Sequence, residues 1–391
     1  MNNHDLHAQI ASISFEEHNH ESKAVWDSYY AGNPIRPPVV LGTATQYFIF
    51  NEYLNPGGAV TFETYSLDAN MMLNFQLQAA AWRAQYIAPY CDDPVGLPES
   101  FVVYVDLQNF DEAAYFGAPV EFIPNQVPDT YPILVGDRKN ALFDIGLPDP
   151  LKGGWYKHAH RLFDEMMEML IEQPTYLDRE IKMNPFGIRT SGPFTIAIAL
   201  RGHELLTDLY EDPEYVHELL DFITEGTIAR ICAHLRFFDL DCPAPDMFFA
   251  DDSIQLISPK MFHQFLLPVY HKLKSGVTTA DRIKVHLCGD ASHHFLALKE
   301  ELGYYEFETG FPINFSQVRS ELGPDVTIHG GPNVVLLRDG TPEEVQLETR
   351  RILESGILEG GRFILREGNN LTPHTPFENL DAMYQTARSY S

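Results

Sequence analysis

The pair His286 and Cys288 is the feature of the sequence with the most specific chemistry. Side chains of a strand alternate between its two faces, so residues two apart point the same way. An imidazole nitrogen and a cysteine sulfur on one face suit Zn²⁺, which accepts N and S ligands in a tetrahedral arrangement. Two other interpretations stay open from the residues alone. One is a buried cysteine beside a hydrogen-bonded histidine, and the other is a nucleophilic Cys288 activated by His286.

A zinc site needs a third ligand, which we expect at the end of another strand. Glu308 ends the next predicted strand and is the first candidate. Glu306 has the same strand parity as Glu308 and is the second candidate. His329 is a further candidate, although a histidine before Gly330-Gly331 is also typical of a turn.

Several other polar residues directly follow predicted strands, where the chemistry of a barrel enzyme collects. We predict that Asp252 is a catalytic carboxylate. We expect four residues to contact the substrate: Arg201, Arg366, Asn369 and Asn370. At least one of the two arginines is expected to hold an anionic group. Asp251 and Asp252 are adjacent and face opposite ways, so we expect one to line the pocket and the other to cap the next helix or form an outward salt bridge.

Short, continuous apolar runs alternate with helical stretches from about Phe194 onward, which is typical of strands buried on both faces. The predicted strands are Phe194 to Leu200, Met247 to Ala250, Ile283 to Leu287, Tyr304 to Phe307, Val326 to Ile328 and Phe363 to Leu365, with Val39 to Leu41 and Val102 to Val105 before them. Helix starts are predicted at Asp212-Pro213, Ser258-Pro259, Thr341-Pro342 and Thr375-Pro376. This alternation predicts an α/β fold, a single (β/α)8 TIM barrel over residues 1–391, in which residues 1–150 form a loop-rich N-terminal extension.

The composition limits the classes of partner. The 391 residues contain 27 Lys and Arg against 55 Asp and Glu, a net charge of −28. Nucleic acids and anionic membranes are bound by clusters of lysine and arginine, so we expect neither as a partner. Met1 to Ile13 show no positive region followed by an apolar one, and no run reaches about 18 apolar residues, so neither a signal peptide nor a membrane span is predicted. Four cysteines without CxxC spacing make no disulfide framework, and the predicted location is the cytoplasm.

Five stretches in the C-terminal half form a recognisable set. They are Gly192-Pro193-Phe194-Thr195, Ala250-Asp251-Asp252 followed by Ser258-Pro259, Gly340 to Val345, Gly360 to Leu365 and Thr375 to Met383. Together they resemble the uroporphyrinogen decarboxylase superfamily over roughly Gly192 to Tyr390. The resemblance implies a (β/α)8 barrel, the same fold that the alternation of strands and helices predicts.

Within that superfamily, His286-x-Cys288 is similar to the zinc motif of corrinoid-linked methyltransferases of the methylcobamide:coenzyme M type. The resemblance implies a zinc-dependent methyltransferase of a corrinoid methyl-transfer or O-demethylase system, acting on a small methylated compound. No cobalamin-binding D-x-H-x-x-G motif occurs in the sequence, so the cobalamin is expected on a separate corrinoid protein. These enzymes take a third ligand, a cysteine, from the segment where Asn369 stands here. Distant barrel relatives combine a His-x-Cys pair with a glutamate, which keeps Glu308 as the expected third ligand.

Two hypotheses of other classes remain. True uroporphyrinogen decarboxylases carry an N-terminal motif, M-R-Q-A-G-R-Y, that holds substrate carboxylates, and nothing similar occurs near Pro34 to Gln46. A metal-free decarboxylase of a tetrapyrrole or a small acid is therefore the second hypothesis. A barrel that binds a small ligand without turnover is the third.

Overall fold

A five-stranded parallel sheet lies at the centre of the computed structural model, which describes residues 15–390. The segment Met1 to Ile13 lies outside the described residues. The order across the sheet is β10-β9-β8-β7-β6. Its strands are β6 Phe248–Ala250, β7 Ile283–Leu287, β8 Tyr304–Thr309, β9 Thr327–Gly330 and β10 Phe363–Leu365. The five predicted strands from Met247 to Leu365 are thereby confirmed.

The two faces of this sheet differ in chemistry because the side chains alternate. One face carries apolar residues that are buried against surrounding helices, such as Val285, Leu287 and Phe307. On the other face the pairing register aligns one row of residues side by side: Ala250, His286, Glu308, His329 and Ile364. The register therefore gathers ionisable side chains from neighbouring strands on a single face.

Single parallel bridges extend the sheet at both edges. Val39 pairs with Leu365 at one edge, and Thr190 pairs with Phe249 at the other. The first bridge lies in the predicted strand Val39 to Leu41. Within residues 15–390 the strands form separate sheets of five, three and two strands, so the closed eight-stranded ring stays a prediction.

The two smaller sheets lie in the N-terminal half. The three-stranded sheet has the order β1-β5-β4, with β1 parallel to β5 and β4 antiparallel to β5. The remaining pair, β2 and β3, is antiparallel. The bounds are β1 Ser100–Val103, β2 Val120–Glu121, β3 Asp129–Thr130, β4 Thr175–Tyr176 and β5 Arg179–Met183. The predicted strand Val102 to Val105 therefore begins earlier than expected, at Ser100.

Seventeen α-helices surround the sheets in the described part of the chain. They are α1 Phe15–Tyr30, α2 Thr45–Ile49, α3 Phe62–Leu67, α4 Ala69–Tyr86, α5 Asp111–Tyr115, α6 Ala141–Ile145, α7 Tyr156–Glu172, α8 Pro193–Arg201, α9 Glu204–Glu211, α10 Pro213–Phe237, α11 Pro259–Met261, α12 Leu267–Val277, α13 Phe295–Leu302, α14 Phe315–Leu322, α15 Val334–Asp339, α16 Pro342–Leu353 and α17 Phe377–Arg388. The N-terminal extension contains two long helices, α1 and α4, besides its loops. None of the helices in residues 15–390 is long and apolar enough to cross a membrane.

The predicted strand Phe194 to Leu200 is wrong, because this run lies in helix α8. Pro193 occupies the first turn, and the backbone N–H groups of Phe194 and Thr195 donate to the Asp251 carboxylate at 3.0 and 2.8 Å. The helix therefore receives its N-terminal cap from a distant residue, which leaves no cap signal in the local sequence. A short apolar run cannot by itself distinguish a buried strand from a buried helix.

Most of the predicted helix starts are confirmed. Asp212, Ser258 and Thr341 each accept a hydrogen bond from a backbone N–H of the helix that follows, and Thr341 forms a complete capping box with Glu344. The start predicted at Thr375-Pro376 has no side-chain cap. The Thr375 hydroxyl instead donates to the carbonyl of Thr372 at 2.8 Å, so it closes the preceding turn.

One cysteine pair departs from the expectation drawn from the sequence. Cys232 in α10 and Cys242 after it are joined by a disulfide, whereas Cys91 and Cys288 are free. Spacing alone did not predict this pair, because the turn that returns residue 242 to the helix is not visible in the sequence. The cytoplasmic location stays a prediction.

Candidate metal centre

Three possible ligands converge at the carboxyl ends of β6 and β7. The ligand atoms of Asp252, His286 and Cys288 all lie within 4.8 Å of one another, and all three side chains are half-buried. His286 Nε2 is 3.1 Å from Cys288 Sγ. The expectation that His286 and Cys288 share one strand face therefore agrees with their positions.

Strand parity also accounts for the place of Asp252. Ala250 pairs with His286 across β6 and β7, and Asp252 and Cys288 each stand two residues further along. The Cys288 backbone N–H donates to Asp252 Oδ1 at 2.7 Å, which ties the two strand ends together. Gly310, after β8, packs directly on the backbone of Cys288 and Gly289, where a Cβ atom would collide. The site thus needs glycine at position 310.

Glu308 contacts the other nitrogen of the His286 ring. Its Oε2 is 3.1 Å from His286 Nδ1, whereas Nε2 faces Cys288. Arg366 pairs with Glu308 from the far side and with Glu367 at 2.7 Å. The structure therefore does not bring Glu308 to the sulfur side of the ring as a third ligand. It places Glu308 where a carboxylate orients a ligating histidine, and places Asp252 beside the two donors instead.

The charges around His286 change its pKa. Burial acts to lower the pKa of His286, but the hydrogen bond to Cys288 and the negative charges of Cys288 and Asp252 together raise it. Arg366 opposes this effect. These surroundings therefore favour a positive charge on the imidazole ring.

The other two ligand candidates pair with each other. His329 Nε2 lies 3.1 Å from Glu306 Oε1, and Lys284 Nζ lies 3.6 Å from Glu306 Oε2. Burial acts to raise the pKa of Glu306, but His329 and Lys284 outweigh it and lower the pKa. Neither Glu306 nor His329 belongs to the Asp252, His286 and Cys288 group within the described residues.

Arg201 is not at a strand end, which corrects the position predicted for it. It ends helix α8, where it is buried. Its Nε donates to Asp208 at 2.8 Å, and its guanidinium also pairs with Glu204 and with the carbonyl of Leu134. The error follows from the assignment of residues 194–200 to a strand. These partners occupy the guanidinium, so Arg201 joins α8 to α9.

The remaining predicted substrate residues lie in the loop after β10. Arg366 and Glu367 are buried, while Asn369 and Asn370 are half-buried. The Gly42 backbone N–H donates to Glu367 Oε1 at 3.0 Å, so the N-terminal segment reaches this loop. Burial raises the pKa of Glu367 to about 7, although Arg366 acts to lower it. The contact of Asn369 and Asn370 with the substrate stays a prediction.

Sequence reasoning places Glu367 among the polar residues that follow predicted strands but gives it no role, and it misses Gly42. Glu367 follows Arg366 directly, and alternation would send the two side chains to opposite faces. The chain leaves the strand at Leu365, so alternation no longer holds there. Gly42 lies 325 residues away from Glu367, and no local pattern links them.

Asp251 and Asp252 have different surroundings, as their adjacency predicts. Asp251 is fully buried and accepts hydrogen bonds from Phe194 N, Thr195 N, Thr195 Oγ1 and Tyr270 Oη. Burial raises its pKa to about 7, against these hydrogen bonds. Asp251 therefore caps a helix, although the helix is the preceding α8 and not the next one. Asp252 faces the site.

The donor set fits zinc. A nitrogen, a sulfur and a carboxylate oxygen are the atoms that bind Zn²⁺ in proteins, and three protein ligands leave a fourth position for a substrate atom. Zinc-bound histidines commonly direct their second nitrogen at a carboxylate, as His286 does toward Glu308. Asn369 is not needed to complete the set.

The sequence is similar to two groups of known proteins. The chain is 24% identical over 202 residues to the methylcobamide:CoM methyltransferase MtbA of Methanosarcina mazei, covering 51% of this chain and 56% of that protein. It is 25% identical over 236 residues to the uroporphyrinogen decarboxylase of Nocardia farcinica, covering 58% of this chain and 65% of that protein. The chain thus spans somewhat over half the length of the curated relatives it matches.

A solved structure supports the fold. The chain resembles a methyltransferase from Methanosarcina mazei with a TM-score of 0.61 and 18% identity, over 94% of this chain and 98% of the other. At this identity the likeness concerns the fold. The family profile described as uroporphyrinogen decarboxylase (URO-D) matches residues 94–390, more than half of the sequence. The chain belongs to the uroporphyrinogen decarboxylase family.

Proposed function

We propose that this protein is a zinc-dependent methyltransferase of a corrinoid system, with Asp252, His286 and Cys288 as the metal ligands. The observation that carries the proposal is the convergence of these three donors within 4.8 Å at two neighbouring strand ends. The similarity to methylcobamide:CoM methyltransferases supports the methyltransferase branch. Glu308 keeps a role in the site, as the partner of His286 instead of a ligand.

The protein's own residues would arrange and hold the reacting groups. Glu308 fixes the orientation and tautomer of the His286 ring, and Arg366 fixes Glu308. The Cys288 amide holds Asp252 beside the sulfur. Zinc bound by such a set supplies a Lewis acid that lowers the pKa of a thiol and keeps it as the nucleophilic thiolate. Asn369 and Asn370, in the loop after β10, would contact the substrate.

The overall reaction moves a methyl group between a corrinoid cobalt and a small molecule. In one direction a thiol and a methyl-cobalt(III) corrinoid give a methyl thioether, a cobalt(I) corrinoid and a proton, so cobalt keeps both electrons of the broken bond. A separate corrinoid protein is the proposed partner, because relatives of this chain are methylcobamide:CoM methyltransferases. We further propose a closed (β/α)8 barrel and a cytoplasmic location.

A metal-free decarboxylase is the second candidate. The observation in its favour is the match to uroporphyrinogen decarboxylases, which covers 58% of this chain in one case. Against it, Arg366, whose charge acts on His286, is already paired with Glu308 and Glu367. A substrate with several carboxylates would have to compete with both side chains.

A methyl-transfer assay tests the proposal. Wild-type protein with methylcobalamin and 2-mercaptoethanesulfonate is expected to form the methyl thioether, together with the visible absorption of cob(I)alamin. Cys288→Ser and Asp252→Ala should lose both zinc and methyl transfer while they remain folded, because each removes a metal ligand. Glu306→Gln serves as the control and should keep both. Release of CO₂ from uroporphyrinogen without methyl transfer would favour the decarboxylase instead.

A further inference from the structure

Both neighbours of Asp252 are attached to a single side chain in another element. The Thr195 hydroxyl donates to Asp251 Oδ1 at 2.7 Å and accepts a hydrogen bond from the Ser253 backbone N–H at 3.0 Å. Thr195 lies in the first turn of α8, 57 residues before Asp252 in the sequence. One hydroxyl therefore uses its donor and its acceptor on the two residues that flank Asp252.

The surroundings make this attachment rigid. Asp251 is fully buried and also accepts hydrogen bonds from the N–H groups of Phe194 and Thr195 and from the Tyr270 hydroxyl. These donors come from α8 and α12. The backbone on both sides of Asp252 is thus held by helices, although the segment itself lies beyond the end of β6.

The Asp252 side chain points toward His286 and Cys288. Its Oδ1 accepts the Cys288 N–H at 2.7 Å, and no other hydrogen bond to its carboxylate occurs among the described residues. The position of the carboxylate therefore depends on this one bond and on the backbone that Thr195 fixes. Metal ligands must be held to within about 0.5 Å of their productive positions to bind well.

We propose that Thr195 is a positioning residue that fixes Asp252 for the metal centre. Among the described residues Thr195 forms no hydrogen bond with His286 or Cys288, and it acts through the backbone of residues 251–253. The inference rests on the proposed function as far as the metal is concerned. The role of Thr195 in fixing the position of Asp252 does not depend on whether a metal binds.

Cobalt binding tests the metal part of this inference. Co²⁺ is titrated into metal-free protein and followed by its visible and sulfur charge-transfer absorption. Thr195→Val is expected to raise the Co²⁺ dissociation constant about 10-fold, as loss of an outer partner does at metal sites. Thr195→Ser retains the hydroxyl and should bind as wild type does. Thr349→Val is the matched control, because it removes a buried hydroxyl that bonds only within α16, and it should leave binding unchanged.

Hydrogen exchange tests the inference without metal. The Cys288 amide is protected by Asp252 Oδ1, so metal-free Thr195→Val should exchange this amide faster than wild type, Thr195→Ser and Thr349→Val. Unchanged cobalt affinity together with unchanged exchange in Thr195→Val would overturn the inference. If wild-type protein binds no Co²⁺, the proposed metal centre is wrong, and the exchange rates alone decide whether Thr195 positions Asp252.

Discussion

His286 shows what strand alternation can and cannot predict for a single residue. Alternation places His286 and Cys288 on one face, and their atoms are 3.1 Å apart. It cannot say which ring nitrogen faces which partner, because that depends on a side-chain rotamer. Alternation therefore predicts Glu308 as a ligand, whereas in the structure Glu308 contacts His286 Nδ1. Asp252 was predicted as a catalytic residue, because the register that aligns Ala250 with His286 is not visible in the sequence.

Glu308→Gln tests the role of the outer carboxylate. The substitution keeps the size of the side chain but removes the charge that pairs with Arg366 and orients His286. We expect zinc affinity to fall by about 10-fold without loss of the site. Glu306→Gln is the control on the same strand face, since its partners are His329 and Lys284. Competition with a zinc-binding dye measures the affinity. Complete loss of zinc in Glu308→Gln would mean that Glu308 is a ligand after all.

At the scale of the elements, the helix that packs at the end of β6 is not predictable from the local sequence. Helix α8 was predicted as a strand because its cap, Asp251, comes from a distant part of the sequence. The strands themselves were predictable, since continuous apolar runs with helices between them are typical of a parallel sheet. Besides the bond between Cys288 and Asp252, hydrogen bonds of His294 join the segments after β6 and β7. His294 Nε2 lies 2.9 Å from the carbonyl of Ile254 and 3.1 Å from that of Ile257.

The buried His294 makes the free energy of unfolding depend on pH. Burial lowers the pKa of His294 to about 4 in the folded protein, against a value of 6.5 for an unperturbed histidine. The folded state therefore binds fewer protons between these values, and stability falls as the pH drops from about 6.5 toward 4. His294→Gln can still donate to the carbonyls but does not titrate. We expect the stability advantage of wild type over this variant to shrink from pH 7 to pH 5, by at most about 1.4 kcal/mol per pH unit. Urea unfolding at several pH values measures it, and a constant difference would contradict the expectation.

At the scale of the whole molecule, residues 39–42 contact β10 and the loop that follows it. The structure of the N-terminal 150 residues is hard to predict from the sequence, because they join the central sheet through long-range contacts. Val39 pairs with Leu365, and the Gly42 amide reaches Glu367. The family profile begins only at residue 94, so this contribution lies outside the matched region.

Gly42→Ala tests that contact. An added Cβ would lie 2.5 Å from Arg366 Nη2 and 2.7 Å from Glu367 Oε1. Both atoms belong to one buried ion pair, so they cannot move apart without breaking it. We expect a loss of about 1–3 kcal/mol in the free energy of unfolding, as for other overpacked sites. Gly368→Ala is the matched control in the loop that contains Glu367, because the added Cβ would meet no atom closer than 3.4 Å. Equal stability of the two variants in urea would show that the Gly42 contact is not tight.

The most direct test of the metal centre is the zinc X-ray absorption spectrum of protein purified without added metal. The arrangement of Asp252, His286 and Cys288 predicts close to one zinc per chain, with a single sulfur neighbour at about 2.3 Å and nitrogen or oxygen neighbours at about 2.0–2.2 Å. A spectrum without sulfur, one with two or more sulfur neighbours, or a protein without zinc would contradict the account.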